Sequence, residues 1–119
     1  RRLARHNGVD LRAPYGSPVR VTADGRVTRS GYSGGYGRLV TVDHGNGLET
    51  RYAHNSRLAV SPGDWVRRGQ VVAYVGSTGR ANAAHLHFEV RLLGKPVNPE
   101  PYILPDLAPA EMADVILAE

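Results

Sequence analysis

Ala84-His85-Leu86-His87-Phe88-Glu89-Val90 alternates polar and apolar side chains over its whole length. Successive residues of a β-strand point to opposite faces, so His85, His87 and Glu89 share one side while Leu86, Phe88 and Val90 face a core. The pattern predicts a strand running on toward Leu92. Taken alone, the two imidazoles are equally a half-buried strand with surface histidines or one wall of a reaction centre. Glu89 reads as a surface charge on an edge strand, with a role as hydrogen-bond acceptor behind an imidazole as the alternative.

Around this strand, fourteen glycines and eight prolines break the chain into short β-rich runs with little helix. Val19-Arg20-Val21-Thr22, the turn Asp24-Gly25 and Arg26-Val27-Thr28 predict an early hairpin. Gly31 to Gly37 is a glycine-tyrosine loop. A second hairpin is expected from Leu39-Val40-Thr41-Val42 and Glu49-Thr50-Arg51-Tyr52-Ala53, joined by His44-Gly45-Asn46-Gly47, and it delivers His54 at a strand end. Ser61-Pro62-Gly63-Asp64 is turn chemistry, and Val71 to Val75 is apolar enough for a buried strand closed by Gly76-Ser77-Thr78-Gly79. After Pro105, Met112, Val115 and Ile116 fall at helical spacing, which predicts a short helix over 109–117. The expected fold is all-β with antiparallel sheets and this short C-terminal helix.

With 119 residues and 41% hydrophobic content, the chain suits a single domain, residues 1–119, with one core. No run approaches the ~20 apolar residues of a membrane span, and the start, Arg1-Arg2-Leu3-Ala4-Arg5, lacks the apolar stretch of an export signal. The absence of cysteine excludes disulfides, thiolate metal sites and thiol nucleophiles, leaving histidine and carboxylate to hold any metal. Fourteen arginines and one lysine give a net charge of +4, but they form no long basic run and no aromatic platform interleaves them. That argues against a nucleic-acid partner.

The chemistry lies in the histidines. His6-Asn7-Gly8-Val9-Asp10 places an imidazole and a carboxylate four residues apart, a weak signal by itself. A catalytic zinc site needs three protein ligands and a fourth position for water, and His6, Asp10 and His87 would supply them. Two neutral imidazoles and one carboxylate leave about +1 at the centre, enough to acidify water toward a pKa of ~7. His54 and His85 would then take the proton and stabilise the developing oxyanion. His44 is read as a solvent-facing turn residue without a role.

In this order and spacing HNGVD, APYGSPV, ADGRV, the GGYG loop, YAHNSRL, VSPGDWVRRGQVVAYVGSTG and HLHFEVRLLGKPVNP resemble the LytM/lysostaphin-type zinc metallopeptidases, over about residues 5–104. The resemblance implies a peptidase of the peptide part of bacterial peptidoglycan, with one Zn²⁺ per chain held by His6, Asp10 and His87. It matches His54 and His85 to the family's catalytic histidines, with His85 more often regarded as the general base. It also implies an antiparallel β fold with a groove over the metal, of the kind seen in biotinyl/lipoyl-like hybrid folds. An exported, periplasmic enzyme is expected, its signal and its regulatory domains or partner proteins lying outside this chain. Three positions depart from the family pattern: Ala81-Asn82-Ala83-Ala84 replaces a small or hydroxyl residue and a proline before His85, Arg38 follows the GGYG loop, and Asn55 follows His54.

Two other functions compete. A catalytically inactive relative that binds cell wall or activates an amidase would usually have lost metal ligands, whereas all five site residues are present. A biotinyl or lipoyl carrier needs a lysine at a hairpin tip, and the single Lys95 lies outside the pattern that resembles those modules.

Overall fold

The structure, a computed structural model, describes residues 3–5 and 8–103. Its ten strands are β1 (Leu3–Arg5), β2 (Gly8–Arg12), β3 (Pro18–Arg20), β4 (Gly25–Tyr32), β5 (Arg38–Gly45), β6 (Leu48–Leu58), β7 (Trp65–Val66), β8 (Val71–Val75), β9 (His85–Leu92) and β10 (Lys95–Val97). Every named pairing is antiparallel, and the main path runs β1-β2-β9-β6-β5-β4-β7. Two short 3-10 turns, Gly34–Tyr36 and Glu100–Tyr102, are the helical elements among the described residues. The helix expected over 109–117 lies outside them. No helix among the described residues is long and apolar enough to cross a membrane.

Alternation in β9 sorts its side chains as the sequence predicts. Leu86, Phe88 and Val90 are buried among Val9 and Leu11 of β2, Val72 and Val75 of β8, and Tyr52 of β6. The Phe88 and Tyr52 rings lie 5.5 Å apart at 46°, within the tilted geometry that aromatic pairs favour. This apolar layer is the floor on which the polar face of β9 stands.

The β5/β6 hairpin forms as expected, but the connection is tighter. Gly45 pairs with Leu48, leaving Asn46 and Gly47 as a two-residue loop with φ of +54° and +80°, the backbone that matches strand twist. His44 is therefore inside β5 and half-buried, not a solvent-facing turn residue. A carbonyl can only accept, so His44 Nδ1–H donates to the Asp24 carbonyl (2.8 Å); in the neutral ring Nε2 then accepts from Thr50 Oγ1–H (2.7 Å). Thr50 is bonded in turn to the buried Tyr52 hydroxyl at 2.7 Å. His44 is a structural clasp.

The early hairpin does not form. β3 pairs with β8, whereas β4 pairs with β5 and β7. Val21 N–H donates to Gln70 and Gly69 N–H to Val21, at 2.9 and 2.8 Å. Val19, Val21 and Val27 are all buried. Burial of these valines against distant strands outweighs the local turn preference of Asp24-Gly25.

Candidate active site

Strand register assembles the polar cluster. In the β2/β9 ladder Asp10 stands opposite His87 and Arg12 opposite His85, so the carboxylate and the imidazoles emerge side by side on one face. Gly8 lets β2 lie this close: a Cβ there would sit 2.8 Å from the Phe88 carbonyl oxygen and 2.9 Å from His87 Cε1. On the other flank β6 pairs with β9 as far as Ala53, opposite His87, and then with β8 from Asn55. His54 sits at this change of partner with φ of +66°, a left-handed conformation rare outside glycine and often found at functional positions. The strand continues to Leu58, so His54 lies inside β6 and not at its end. Its ring centroid is 4.9 Å from that of His85 and 5.8 Å from that of His87.

A second wall comes from two loops pressed together. Gly37 and Gly79, with φ of +67° and +73°, pack backbone to backbone, and a Cβ on either would collide with the other loop. This contact sets Gly35 and Tyr36 across from the 78–83 segment. The resulting groove is lined by Asp10, Arg12, Gly35, Tyr36, His54, Arg80, Asn82, Ala83, His85, His87 and Glu89.

Hydrogen bonds fix what each imidazole can do. His54 Nδ1–H donates to the Thr78 carbonyl at 2.7 Å, and His85 Nδ1–H to the Ala83 carbonyl at 2.8 Å. In the neutral rings this leaves both Nε2 atoms with a lone pair. The pKa of His54 is lowered, chiefly because burial penalises the cation, with repulsion from His85 and His87 adding to the effect against the opposing Thr78 bond. His87 is set differently. Its Nδ1 lies 2.7 Å from Asp10 Oδ1 and its Nε2 lies 2.8 Å from Glu89 Oε2. Burial works against charge on this ring, but the bonds to Glu89 and Asp10 outweigh it and raise its pKa.

Glu89 is the residue the sequence reading misjudged. It is 1% exposed, and β9 is an interior strand between β2 and β6 rather than an edge. Its Oε1 accepts from Tyr36 Oη–H at 3.2 Å and from Arg91 Nε and Nη2 at 3.3 and 3.2 Å. Burial opposes ionisation, yet the His87 and Arg91 contacts hold the carboxyl below its usual range. Tyr36 is itself held by Arg51 Nη1 at 3.2 Å, and Arg51 is bound to Glu49 at 2.6 Å. Tyr36 stood in the quoted GGYG loop without a role, because this web is drawn from three separate segments.

Asp10, His54, His85 and His87 thus come together at one groove, and His6 lies outside the described residues. Among the described residues no three His, Cys, Asp or Glu side chains form a ready metal site. The donor chemistry nevertheless fits a divalent metal. Asp10 Oδ1 and His87 Nδ1 face one another, and Glu89 backs the far nitrogen of His87, the arrangement that orients a ligating imidazole.

Residues 4–99 match the model of Peptidase family M23. The chain belongs to this family. That agrees with the LytM/lysostaphin-type resemblance of its motifs. It is 51% identical over 100 residues to the DD-carboxypeptidase/endopeptidase Mpg of Neisseria meningitidis, covering 84% of this chain and 23% of that protein. It is 41% identical over 99 residues to the murein hydrolase activator EnvC of Escherichia coli, covering 83% and 24%. Among solved structures it is similar to a zinc-containing peptidase from Vibrio cholerae, with a TM-score of 0.75, 40% identity and coverage of 78% and 29%. The chain spans about a quarter of the length of the curated relatives it matches.

Proposed function

We propose that this M23 domain, residues 1–119, is a zinc-dependent endopeptidase that hydrolyses peptide cross-links or bridges of bacterial peptidoglycan in the cell envelope, in the periplasm. The observation that carries this reading is the pair of Nε2 atoms on His54 and His85 that their Nδ1 bonds leave facing the groove, beside the Asp10 and His87 donor pair, with His85 Nε2 3.5 Å from Asp10 Oδ1. Zn²⁺ held by His6, Asp10 and His87 would act there as a Lewis acid and lower the pKa of bound water.

The chain's own groups do the rest. Glu89 would accept a hydrogen bond from His87 Nε2–H, so that with the metal bound Nδ1, the nitrogen facing Asp10, is the atom left to ligate it. With the lowered pKa, His54 is uncharged at neutral pH, so its Nε2 is able to accept a proton. His85, its Nδ1 proton tied to Ala83, offers a second nitrogen on the same face, to take a proton as general base or to steady negative charge on the substrate carbonyl when protonated. The similarity to an activator of murein hydrolases favours a second reading, an inactive domain that works by contact. The intact set of four groove residues favours the enzyme.

Mass analysis of fragments from cross-linked peptidoglycan of known chemistry, with and without a chelator, tests the proposal and identifies the bond. New termini that vanish with chelator support it. No fragments and no bound zinc would leave the contact-activator reading standing.

A further inference from the structure

We propose that Arg12 and Arg80 form a carboxylate-recognition pair in the groove, making this site selective for peptides that carry a free carboxylate beside the scissile amide. The inference rests on the peptidase reading above and names the substrate chemistry of the same site.

Charge accounting in the groove leads to it. The two acidic side chains there are already committed. Asp10 lies 2.7 Å from His87 and 3.5 Å from His85, and Glu89 is saturated by His87, Arg91 and Tyr36. The two guanidinium groups are not. Arg12 and Arg80 both line the groove and are both exposed. Among the described residues neither guanidinium has a carboxylate or carbonyl partner, unlike Arg51 and Arg91, whose charges are met by Glu49 and Glu89.

Position makes the pair useful. Arg12 follows Asp10 by two residues on β2, hence on the same face, and its backbone is in register with His85. Arg80 belongs to the wall built by the two loops, where its backbone N–H donates to the Gly35 carbonyl at 2.9 Å. Its side chain lies against Gly35, with Nε 3.4 Å from the place of a Cβ there. Both cationic forks therefore border the groove that also holds the histidines. Guanidinium matches carboxylate geometry bidentately and stays charged at every working pH. A neutral or amidated peptide leaves both forks without a counter-charge.

The test uses two synthetic peptides that differ only in a carboxylate or a carboxamide next to the scissile bond. Their Kd values for the zinc-loaded protein are measured by calorimetry, and turnover of each is followed separately. The acid should bind about tenfold more tightly than the amide, with the advantage shrinking as salt rises. Arg12→Gln and Arg80→Gln should each reduce that ratio, and together bring it near one. Arg29→Gln, on β4 outside the groove, should keep it. Equal affinity for acid and amide in the unmodified protein, or an unchanged ratio in the double variant, overturns the inference. Arginine-dependent preference without cleavage of either peptide upholds the carboxylate site and rejects the peptidase reading.

Discussion

His87 and His54 have ring centroids 5.8 Å apart, in one groove, yet their surroundings push them in opposite directions. His87 is bracketed by Asp10 and Glu89, so both nitrogens face carboxylates and its pKa is raised. His54 meets a single backbone carbonyl and two other imidazoles, and burial lowers its pKa. The same side chain is thus prepared for two jobs. A ring between carboxylates suits cation holding, and a ring stripped of them suits taking a proton.

The largest expected effect separates those jobs. His87→Ala should abolish zinc binding and hydrolysis together, because one of the three proposed ligands is lost. His54→Ala and His85→Ala should keep the metal while turnover falls on the order of 10²–10⁴-fold, the usual worth of a general acid or base. Metal content by mass spectrometry, alongside peptidoglycan turnover, reads both outcomes. One zinc per chain with normal turnover in His87→Ala would refute the ligand assignment, and loss of zinc in His85→Ala would mean that the two roles have been exchanged.

A smaller effect is expected one contact further out. Glu89→Gln keeps the shape but removes the charge that holds the Nε2 proton of His87, so zinc affinity should drop by about 10–100-fold. Turnover at saturating zinc should recover most of its value. Competition with a chelator measures the affinity, and unchanged zinc affinity would show that Glu89 is only a structural partner of Arg91 and Tyr36.

The comparison also shows where a sequence can be read. Alternation alone put His85, His87 and Glu89 on one face of β9 and Leu86, Phe88 and Val90 in the core, because a strand's period is a local property. The β5/β6 hairpin was legible for the same reason, through its Asn46-Gly47 turn. The burial of Glu89 was not, since it depends on Tyr36, Arg91 and the strands on either side of β9. Nor was the fate of Val19 to Thr28, because Val19 and Arg20 find their partners in β8 whereas Gly25 to Val27 find theirs in β7 and β5. The left-handed backbone of His54 has no mark in the sequence, because it arises where β6 exchanges β9 for β8.

The smallest effect is a change of slope, and it opposes the two histidines directly in the chelator-treated protein. His54 has a folded pKa below its unfolded value of about 6.5. Between those two values the unfolded chain binds a proton that the native chain does not, so this group's contribution is full above about 6.5 and declines as pH falls. His87, with its folded pKa raised, does the reverse: its contribution is full below about 6.5 and is lost as pH rises through the folded value. His54→Gln should therefore make stability fall less steeply on acidification from pH 7 to 5, and His87→Gln should make it fall more steeply. Each change of slope is bounded by about 1.4 kcal/mol per pH unit, the most that one titrating group supplies. Urea melts at several pH values measure it, with the proton resonances of the two rings giving their midpoints. If both rings titrate on the same side of 6.5, the electrostatic contrast between them does not exist and the division of labour must come from geometry alone.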